Sequence, residues 1–217
     1  MRKVIKYVIG FMILSIFLVG CTSNNKMNGN AAAADTNAED VSICFINSGK
    51  SDSILVKAFG KSYLIDTGTK DSVDAIKKAL EVNDVDSLDA VFLTHTHKDH
   101  IGGLKKLANV YDIPVVYSAM ISMNEDDGTN AIDKLVDEKL NLNHEKLKAG
   151  DKINISDEVY FEVLGPLTYN SDDDNDNSLV LRLCVYGKTI IFAGDMQFAE
   201  EQTLIDSGLD LKADILK

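Results

Sequence analysis

Positive charge is scarce in this chain. Lysine and arginine together number 22 against 34 aspartates and glutamates, which gives a formal net charge of −12 at pH 7. Aromatic residues make up 7% of the sequence, and it contains no basic stripe with interleaved aromatic residues. An acidic surface repels polyanions at long range, so this composition argues against non-specific binding of bulk DNA. It does not exclude phosphodiester chemistry, because bound divalent metal ions would reverse the local field in a cleft.

Proline is also scarce, with two residues in 217. Apolar residues make up 45% of the chain. A chain of this length and composition can bury a sizeable core as one domain. The uncharged run at residues 7–20 has fourteen residues, fewer than the ~20 that a membrane-spanning helix needs. We therefore interpret this run as the apolar part of a signal peptide.

The amino terminus resembles that of an exported bacterial lipoprotein. Arg2, Lys3 and Lys6 form a basic segment before the apolar run, and residues 18–21, with the sequence LVGC, resemble a lipobox. Cleavage before Cys21 would leave its thiol to carry lipid. The alternative is an ordinary membrane anchor or signal peptide with an incidental cysteine, and in either case the domain is exported.

The sequence thus divides into three parts. We expect a lipoprotein signal peptide at residues 1–20 and a flexible tether at residues 21–40, which are small and polar with no periodic apolar face. Residues 41–217 would form a hydrolase domain that the lipid on Cys21 holds at the extracytoplasmic face of the cell membrane.

The other two cysteines, Cys44 and Cys184, lie in apolar alternating stretches. A small buried thiol is the usual state of such a residue. Export permits a disulfide between them, and their spacing does not decide the question.

Alternating β-rich runs and helical apolar spacing outline the order of elements. Strands are predicted at 41–46, 53–58, 61–65, 90–94, 114–117, 151–155, 159–164, 179–186, 189–193 and 213–216, and helices at 73–82, 103–109, 132–140 and 196–207. A strand meander followed by helices and strands, and then a second similar series, predicts an α/β fold in which two sheets pack together with helices outside.

Three of the four histidines fall within six residues, directly after the apolar run at 90–93. Imidazole and carboxylate are ligands that zinc, manganese and iron accept. In an extended or tightly turning segment His95 and His97 can share one metal, which leaves Asp99 and His100 for a second. An isolated histidine is usually an ordinary surface or core residue, but four potential ligands packed this tightly predict a metal site.

The spacing of His95, His97, Asp99 and His100 matches the His-x-His-x-Asp-His signature, and here the sequence resembles the metallo-β-lactamase fold superfamily. Within it, the stretches at 47–56, 64–68, 175–183 and 192–195 are most similar to the hydrolase domain of ComEC-like competence proteins and its stand-alone relatives. The resemblance implies an αββα sandwich of two mixed sheets with outer helices. It also implies two divalent metal ions, zinc or manganese, at the sheet edges.

The resemblance also assigns roles to single residues. It implies that His95 and His97 bind the first metal, that Asp99 and His100 bind the second, and that Asp195 bridges them. Asp66 would be a carboxylate behind the ligands that steadies their loop, and Asp99 could also orient the attacking water as a catalytic residue. From the residues alone Asp66 and Asp195 would stay open, because Asp-Thr-Gly and Gly-Asp turns are common.

Two departures from the family accompany this resemblance. Many members have a further histidine before the bridging aspartate, and the candidate here, His144, lies in a polar stretch that favours a solvated side chain. We expect the loop at 175–178 to enter the site instead. In the relatives the strand matching 213–217 leads into a Gly-His-His-Gly segment whose histidine completes the second metal. We therefore expect this chain to lack its carboxyl-terminal end, and with it one metal ligand, at least one strand and the final helix.

Charged residues elsewhere receive plainer interpretations. The acidic stretch at 171–177 fails the calcium-loop pattern, since Asn177 and Leu183 occupy the required glycine and glutamate positions. It is predicted to be a solvated, mobile loop beside the site. Arg182 and Lys188 lie on strands and are predicted to be structural or solvent-facing.

The leading hypothesis is an exported, lipid-anchored, metal-dependent hydrolase that cleaves phosphodiester bonds of nucleic acid or a nucleotide. One alternative is hydrolysis of a lactone, lactam or other acyl substrate, and another is an inactive, truncated metal-binding lipoprotein. The expected partners are a small-molecule or nucleic-acid substrate and the membrane, through the lipid on Cys21. The sequence indicates no protein partner.

Overall fold

The computed structural model describes residues 41–217. The expected signal peptide at 1–20, the tether at 21–40 and the lipidated Cys21 lie outside the described residues. Among the helices of residues 41–217, none has the length and the hydropathy that crossing a membrane requires.

The first sheet begins with a meander of antiparallel strands and continues with parallel ones. Its six strands, neighbours in chain order, are β1 (Val41–Phe45), β2 (Ile54–Ala58), β3 (Lys61–Ile65), β4 (Ala90–Leu93), β5 (Val116–Ala119) and β6 (His144–Leu147). Phe59 and Gly60, both with positive φ, form the two-residue turn between β2 and β3, a turn whose twist suits paired strands. From β3 to β6 the strands are parallel, so each connection is a longer crossover.

The second sheet has five strands in the order β11-β10-β9-β8-β7. They are β7 (Lys152–Asn154), β8 (Val159–Gly165), β9 (Val180–Val185), β10 (Lys188–Phe192) and β11 (Ile215–Leu216). All neighbours are antiparallel except β10 and β11, which are parallel. Both sheets are therefore mixed.

Helices cover the outer faces of the two sheets. They are α1 (Val73–Val82), α2 (Lys98–Ile101), α3 (Leu104–Leu107), α4 (Ala131–Asp133), which continues as a π-helical segment (Lys134–Leu140), and α5 (Phe198–Asp206), with a 3₁₀ turn (Asp174–Asn177) before β9. Apolar residues of α1, α3 and α4 pack on the first sheet, and Leu204 of α5 packs on the second. The αββα sandwich expected from the sequence is confirmed.

The core between the sheets is built from inward-facing residues of strands on both sides. The Phe92 ring centroid lies 4.8 Å from that of Phe161 and 5.1 Å from that of Tyr117. Phe161 belongs to β8, where Val159, Phe161 and Val163 alternate with more exposed residues, as the period of two in a strand requires. This aromatic contact joins the two sheets at their centre.

Two predicted boundaries are wrong in an informative way. The helix predicted at 103–109 is two short helices, because α2 already begins at Lys98 and a break at Gly102 and Gly103 separates it from α3. A Cβ on Gly103 would overlap the carbonyl oxygen of Thr67, so only glycine allows the helix to approach the loop after β3 this closely. The strand predicted at 114–117 begins two residues later, since Pro114 has no N–H for the ladder.

Several smaller expectations hold. Cys44 and Cys184 are buried thiols that form no disulfide with each other, which confirms the default interpretation. The Arg182 guanidinium donates two hydrogen bonds to Glu162 Oε2, at 3.1 and 2.5 Å, and so has the structural role expected of it. Lys188 Nζ lies 3.1 Å from an oxygen of Asp214 on the surface.

Replacing Phe161 with alanine should reduce the free energy of unfolding of the full chain by about 3–5 kcal/mol, because the change leaves a cavity between the sheets. Urea unfolding followed by circular dichroism measures this loss. Val110→Ala, at a side chain that is 56% exposed, is the control and should change stability by less than about 0.5 kcal/mol. Equal effects of the two substitutions would contradict the position of Phe161 in the core.

Candidate metal centre

The predicted ligands lie where the ends of β3, β4 and β10 meet. Asp66 follows β3, His95 comes two residues after β4, and Asp195 follows β10. The Leu179 N–H donates to the Thr94 carbonyl oxygen at 2.8 Å and joins the second sheet to the first at this edge. Gly194 has φ +58°, and a Cβ there would lie 3.0 Å from Ser178 Cβ, so this close contact depends on glycine.

The Asp66 carboxylate forms the floor of the centre. It is 2% exposed, and its Oδ1 accepts the Thr94 backbone N–H at 2.8 Å. Its Oδ2 accepts the Thr94 hydroxyl at 2.8 Å and lies 2.7 Å from His100 Nδ1. Asp66 has φ +58°, which is rare outside glycine and is found where the surrounding contacts over-determine the backbone. The carboxylate therefore joins the end of β3 to the end of β4 and to α2.

His95 lies between the other two histidines of the cluster. His95 Nε2 lies 3.0 Å from His97 Nδ1, and the ring centroids of His95 and His100 are 4.1 Å apart. His97 precedes α2, and its carbonyl accepts the backbone N–H of His100 at 3.0 Å. This helical turn brings His100 back beside His95. His100 Nε2 lies 3.4 Å from Asp195 Oδ2, so the bridging ligand implied by the resemblance faces the same point.

Burial and neighbouring charges give the two inner histidines opposite proton affinities. Burial, helped by the charge of His100, lowers the pKa of His95 to about 4. Burial also opposes the charged form of His100, but the hydrogen bond and negative charge of Asp66, with Asp195 and Asp52, raise its pKa to about 9. His95 therefore offers a free lone pair at neutral pH, whereas an ion must displace a proton from His100.

The remaining predicted ligand, Asp99, is less closely joined to the others. Potential ligand atoms of His95, His100 and Asp195 lie within 4.8 Å of one another, and so do those of Asp52, Asp66 and His100. Asp99 belongs to neither group, and neither does His97, which is exposed. Asp99 lies in α2. Its contact with this region is through the backbone, where its carbonyl oxygen accepts the Asp52 N–H at 3.2 Å. Its roles as ligand and as water-orienting residue stay predictions.

Sequence reasoning missed Asp52 as a member of the centre. Its carboxylate forms an ion pair with Lys217, and its backbone carbonyl accepts the Gly68 N–H at 2.9 Å. The signal was present, because Asp52 lies within the stretch at 47–56 that carries the family resemblance. Only the fold shows that this stretch reaches His100.

The acidic stretch at 171–177 is solvated, as predicted, at Ser171 and Asp172, and it is buried further along. Asp174, Asp176 and Asn177 are at least 95% buried. Asp174 accepts hydrogen bonds from Thr96 and Met123, and Asp176 accepts the N–H of Gln197 at 3.0 Å. Donors from distant segments thus stabilise these buried carboxylates. As expected, the loop reaches the site, where Ser178 Oγ accepts the Asp195 N–H at 3.2 Å.

His144 is also not solvated, although its sequence neighbours favoured that interpretation. Its side chain is 4% exposed, with Nδ1 3.0 Å from Asp137 Oδ1 and Nε2 2.8 Å from Ser118 Oγ. Asp133, Asp137 and His144 form a separate group of potential ligands. Lys146 Nζ lies 2.8 Å from Asp133 Oδ1, so a cation of the chain itself already neutralises the carboxylate of that group. His144 is not a member of the metal centre.

The donor set at the main site fits divalent ions. Imidazole nitrogens and carboxylate oxygens suit zinc and manganese. The hydrogen bond from His100 Nδ1 to Asp66 leaves Nε2 directed at Asp195, which is the arrangement usual for a metal-binding histidine with a carboxylate behind it.

Comparisons with known proteins agree with this geometry. A family model described as the metallo-beta-lactamase superfamily matches residues 47–216. The chain is 30% identical to ComE operon protein 3 of Bacillus subtilis over 140 residues, which are 64% of this chain and 17% of that protein. It is 42% identical to hydroxyacylglutathione hydrolase of Citrobacter koseri over 57 residues, which are 26% of this chain and 22% of that protein. The matched segments span about a fifth of the length of these curated relatives.

A solved structure agrees at the level of the fold. MEM-A1, a subclass B3 metallo-beta-lactamase isolated from a soil metagenome library, superposes with a TM-score of 0.54 at 14% identity. The superposition covers 76% of this chain and 72% of that one. At this identity the likeness concerns architecture and carries no statement about substrate.

Asp66→Asn should lower the pKa of His100 in the chelator-treated protein by about 1–3 units, because the imidazolium loses its charged acceptor while its burial remains. Titration of the histidine ring signals by NMR measures both values, and the wild type should titrate at about 9. Asp157→Asn, an equal charge change at an exposed turn, should leave the midpoint unchanged. A midpoint still at about 9 in Asp66→Asn would contradict the proposed contact.

The raised pKa of His100 also determines how its contribution to the free energy of unfolding changes with pH. A histidine whose pKa rises on folding stabilises the folded state fully below its ordinary value of 6.5, and this contribution disappears as the pH rises through about 9. The difference in unfolding free energy between wild type and Asp66→Asn should therefore shrink between pH 6.5 and pH 9.

Proposed function

The chain belongs to the metallo-β-lactamase superfamily, and from this premise we propose that it is a metal-dependent hydrolase of phosphodiester bonds in nucleic acid or a nucleotide. The observation that carries the hydrolase assignment is the group formed by His95, His100 and Asp195 beside the Asp66 carboxylate, with His97 in contact with His95. The superfamily includes metal-dependent hydrolases, and its fold typically binds divalent metals at such a set of donors.

Each residue of the predicted ligand set would have a separate role in metal binding. His95 and His97 would hold one ion, Asp99 and His100 a second, and Asp195 would lie between them. When bound, a pair of divalent ions supplies Lewis acidity that lowers the pKa of water and stabilises charge on the attacked group. Asp66 accepts the Nδ1 proton of His100, so an ion that displaces the other ring proton would bind at Nε2, which faces Asp195.

Asp99 is the candidate for orienting the attacking water. It stands at the first turn of α2 between His97 and His100. Its side chain is partly exposed, as a group that meets both water and substrate has to be. A carboxylate in that position can accept a proton from water during attack.

Similarity to ComEC-like hydrolase domains supports the phosphodiester class, and so does the 30% identity to ComE operon protein 3. A phosphodiester is an anion, and the chain carries a net charge of −12. Bound divalent ions would therefore have to provide the attraction that the surface lacks.

An acyl substrate is the second candidate. The 42% identity to hydroxyacylglutathione hydrolase favours it, because the stretch that matches is shared with a protein whose name specifies an acyl substrate. An acidic surface would not repel a small, neutral lactone, lactam or ester.

We further propose that the domain acts outside the cytoplasm. The basic and apolar segments before Cys21 support export and lipid attachment, and the small polar residues at 21–40 would let the domain reach substrate away from the membrane.

The purified full chain should bind about two equivalents of zinc or manganese. Metal analysis by mass spectrometry after dialysis measures this stoichiometry. His95→Ala should reduce it to one equivalent or less, since it removes a donor from the centre. His144→Ala is the matched control, because it removes a buried histidine that lies outside the centre, and it should retain both equivalents. Equal losses in the two variants, or a metal-free wild type, would contradict the site.

The metal-loaded full chain should cleave single- or double-stranded DNA or bis(p-nitrophenyl) phosphate faster than a chromogenic ester, a β-lactam or an acyl-glutathione thioester. Asp195→Asn should reduce turnover about 100-fold or more, because it weakens the ligand shared between the ions. Asp157→Asn should retain full turnover. Turnover of acyl substrates alone would reject the phosphodiester proposal in favour of the second candidate.

A further inference from the structure

Asp174 is a buried carboxylate that four donors saturate. It is 4% exposed. Its Oδ2 accepts the Thr96 backbone N–H at 2.9 Å and the Thr96 hydroxyl at 2.5 Å. Its Oδ1 accepts the Met123 N–H at 3.0 Å and the Asn177 amide at 3.2 Å. Because each oxygen already accepts two hydrogen bonds, Asp174 is not available as a metal ligand, and it belongs to neither ligand group of the centre.

The partner that matters is Thr96, which stands between His95 and His97. The segment bends at His95 and Thr96 after β4 ends. Asp174 holds both the N–H and the side chain of Thr96, and Nε2 of His95 lies 3.0 Å from Nδ1 of His97 on the residues to either side. Fixing Thr96 therefore restricts the backbone that carries both imidazoles.

We propose that Asp174 is a positioning residue that acts through Thr96 to hold His95 and His97 ready for the first metal ion. This inference rests on the proposed metal-dependent function and adds to it the group that sets metal affinity. Preorganisation increases affinity, because the loop loses less conformational freedom when the ion binds. The same carboxylate holds Met123, so it also ties the loop after β5 to the histidine segment.

The chemistry of the site requires a carboxylate. An asparagine has one acceptor oxygen, and its amide nitrogen would face either the donors of Thr96 or those of Met123 and Asn177. Asp174→Asn must therefore lose the hydrogen bonds either to Thr96 or to Met123 and Asn177. The volume of the side chain hardly changes.

The same 3₁₀ turn contains a matched control. Asp176 is 5% exposed, and it accepts hydrogen bonds from the N–H groups of Gln197 and Glu200 at 3.0 and 3.2 Å and from the amide of Asn170 at 3.1 Å. These partners belong to α5, to the residue before it and to the loop of Asp176 itself, with none in the histidine segment. Asp176→Asn therefore disturbs a comparable buried network without touching Thr96.

The test is a zinc titration of the chelator-treated full chain, by calorimetry and by competition with a chromophoric chelator. Asp174→Asn should weaken binding of the first ion about 10- to 100-fold, and Asp176→Asn should change it less than about 3-fold. Thr96→Val, which removes the hydroxyl donor, should weaken it several-fold. If Asp174 acts through Thr96, the two losses will be less than additive in the double variant, as for residues in one network.

The outcomes separate this inference from the proposed function. Wild-type affinity in Asp174→Asn, or additive losses in the double variant, would overturn the positioning role while metal binding and hydrolysis by the wild type stand. A wild type that binds no zinc or manganese would overturn both. If Asp174→Asn does not fold, Thr96→Val decides, because wild-type affinity in that variant rejects the role of the Thr96 hydroxyl contact.

Discussion

The buried hydrogen-bond network of Asp66 is the interaction on which the rest of the site depends. Its two oxygens accept the backbone N–H and hydroxyl of Thr94 and the imidazole of His100. A carboxylate at 2% exposure is tolerated only with such partners, since an unpaired buried charge costs several kcal/mol. The same bonds fix the ends of β3 and β4, and they leave His100 Nε2 directed at Asp195. The hydrogen bonds that hold the two strand ends together therefore also orient the ligand His100.

The fold could be predicted largely from local patterns. Apolar residues alternate at 159–163, and Gly60 and Gly187 suit the second position of the two-residue turns; both are local signals that tertiary contacts reinforce. The histidine cluster could be predicted because its members are neighbours in sequence as well as in space. The helix boundary at Gly103 was wrong because a distant segment decided it, through the close contact of this glycine with Thr67.

The parts that could not be predicted share one physical cause. Asp174, Asp176 and His144 are polar residues in polar sequence, and solvent exposure is the reasonable expectation for each. Each is buried because its partner comes from elsewhere in the chain. Thr96 lies 78 residues from Asp174, and Ser118 lies 26 residues from His144. Composition and periodicity describe neighbours in sequence, so they do not identify donors that only the folded chain supplies.

The distribution of charge connects this buried acidity to the chemistry. Asp52, Asp66 and Asp195 all raise the pKa of His100, so the centre has a negative potential that favours any cation. The protonated imidazole provides part of the compensating charge, and a divalent ion replaces that proton with a larger charge. The same carboxylates that make the centre attract cations also make it repel anions. Under the proposed function, bound metal ions would therefore have to reverse this potential before an anionic substrate could approach.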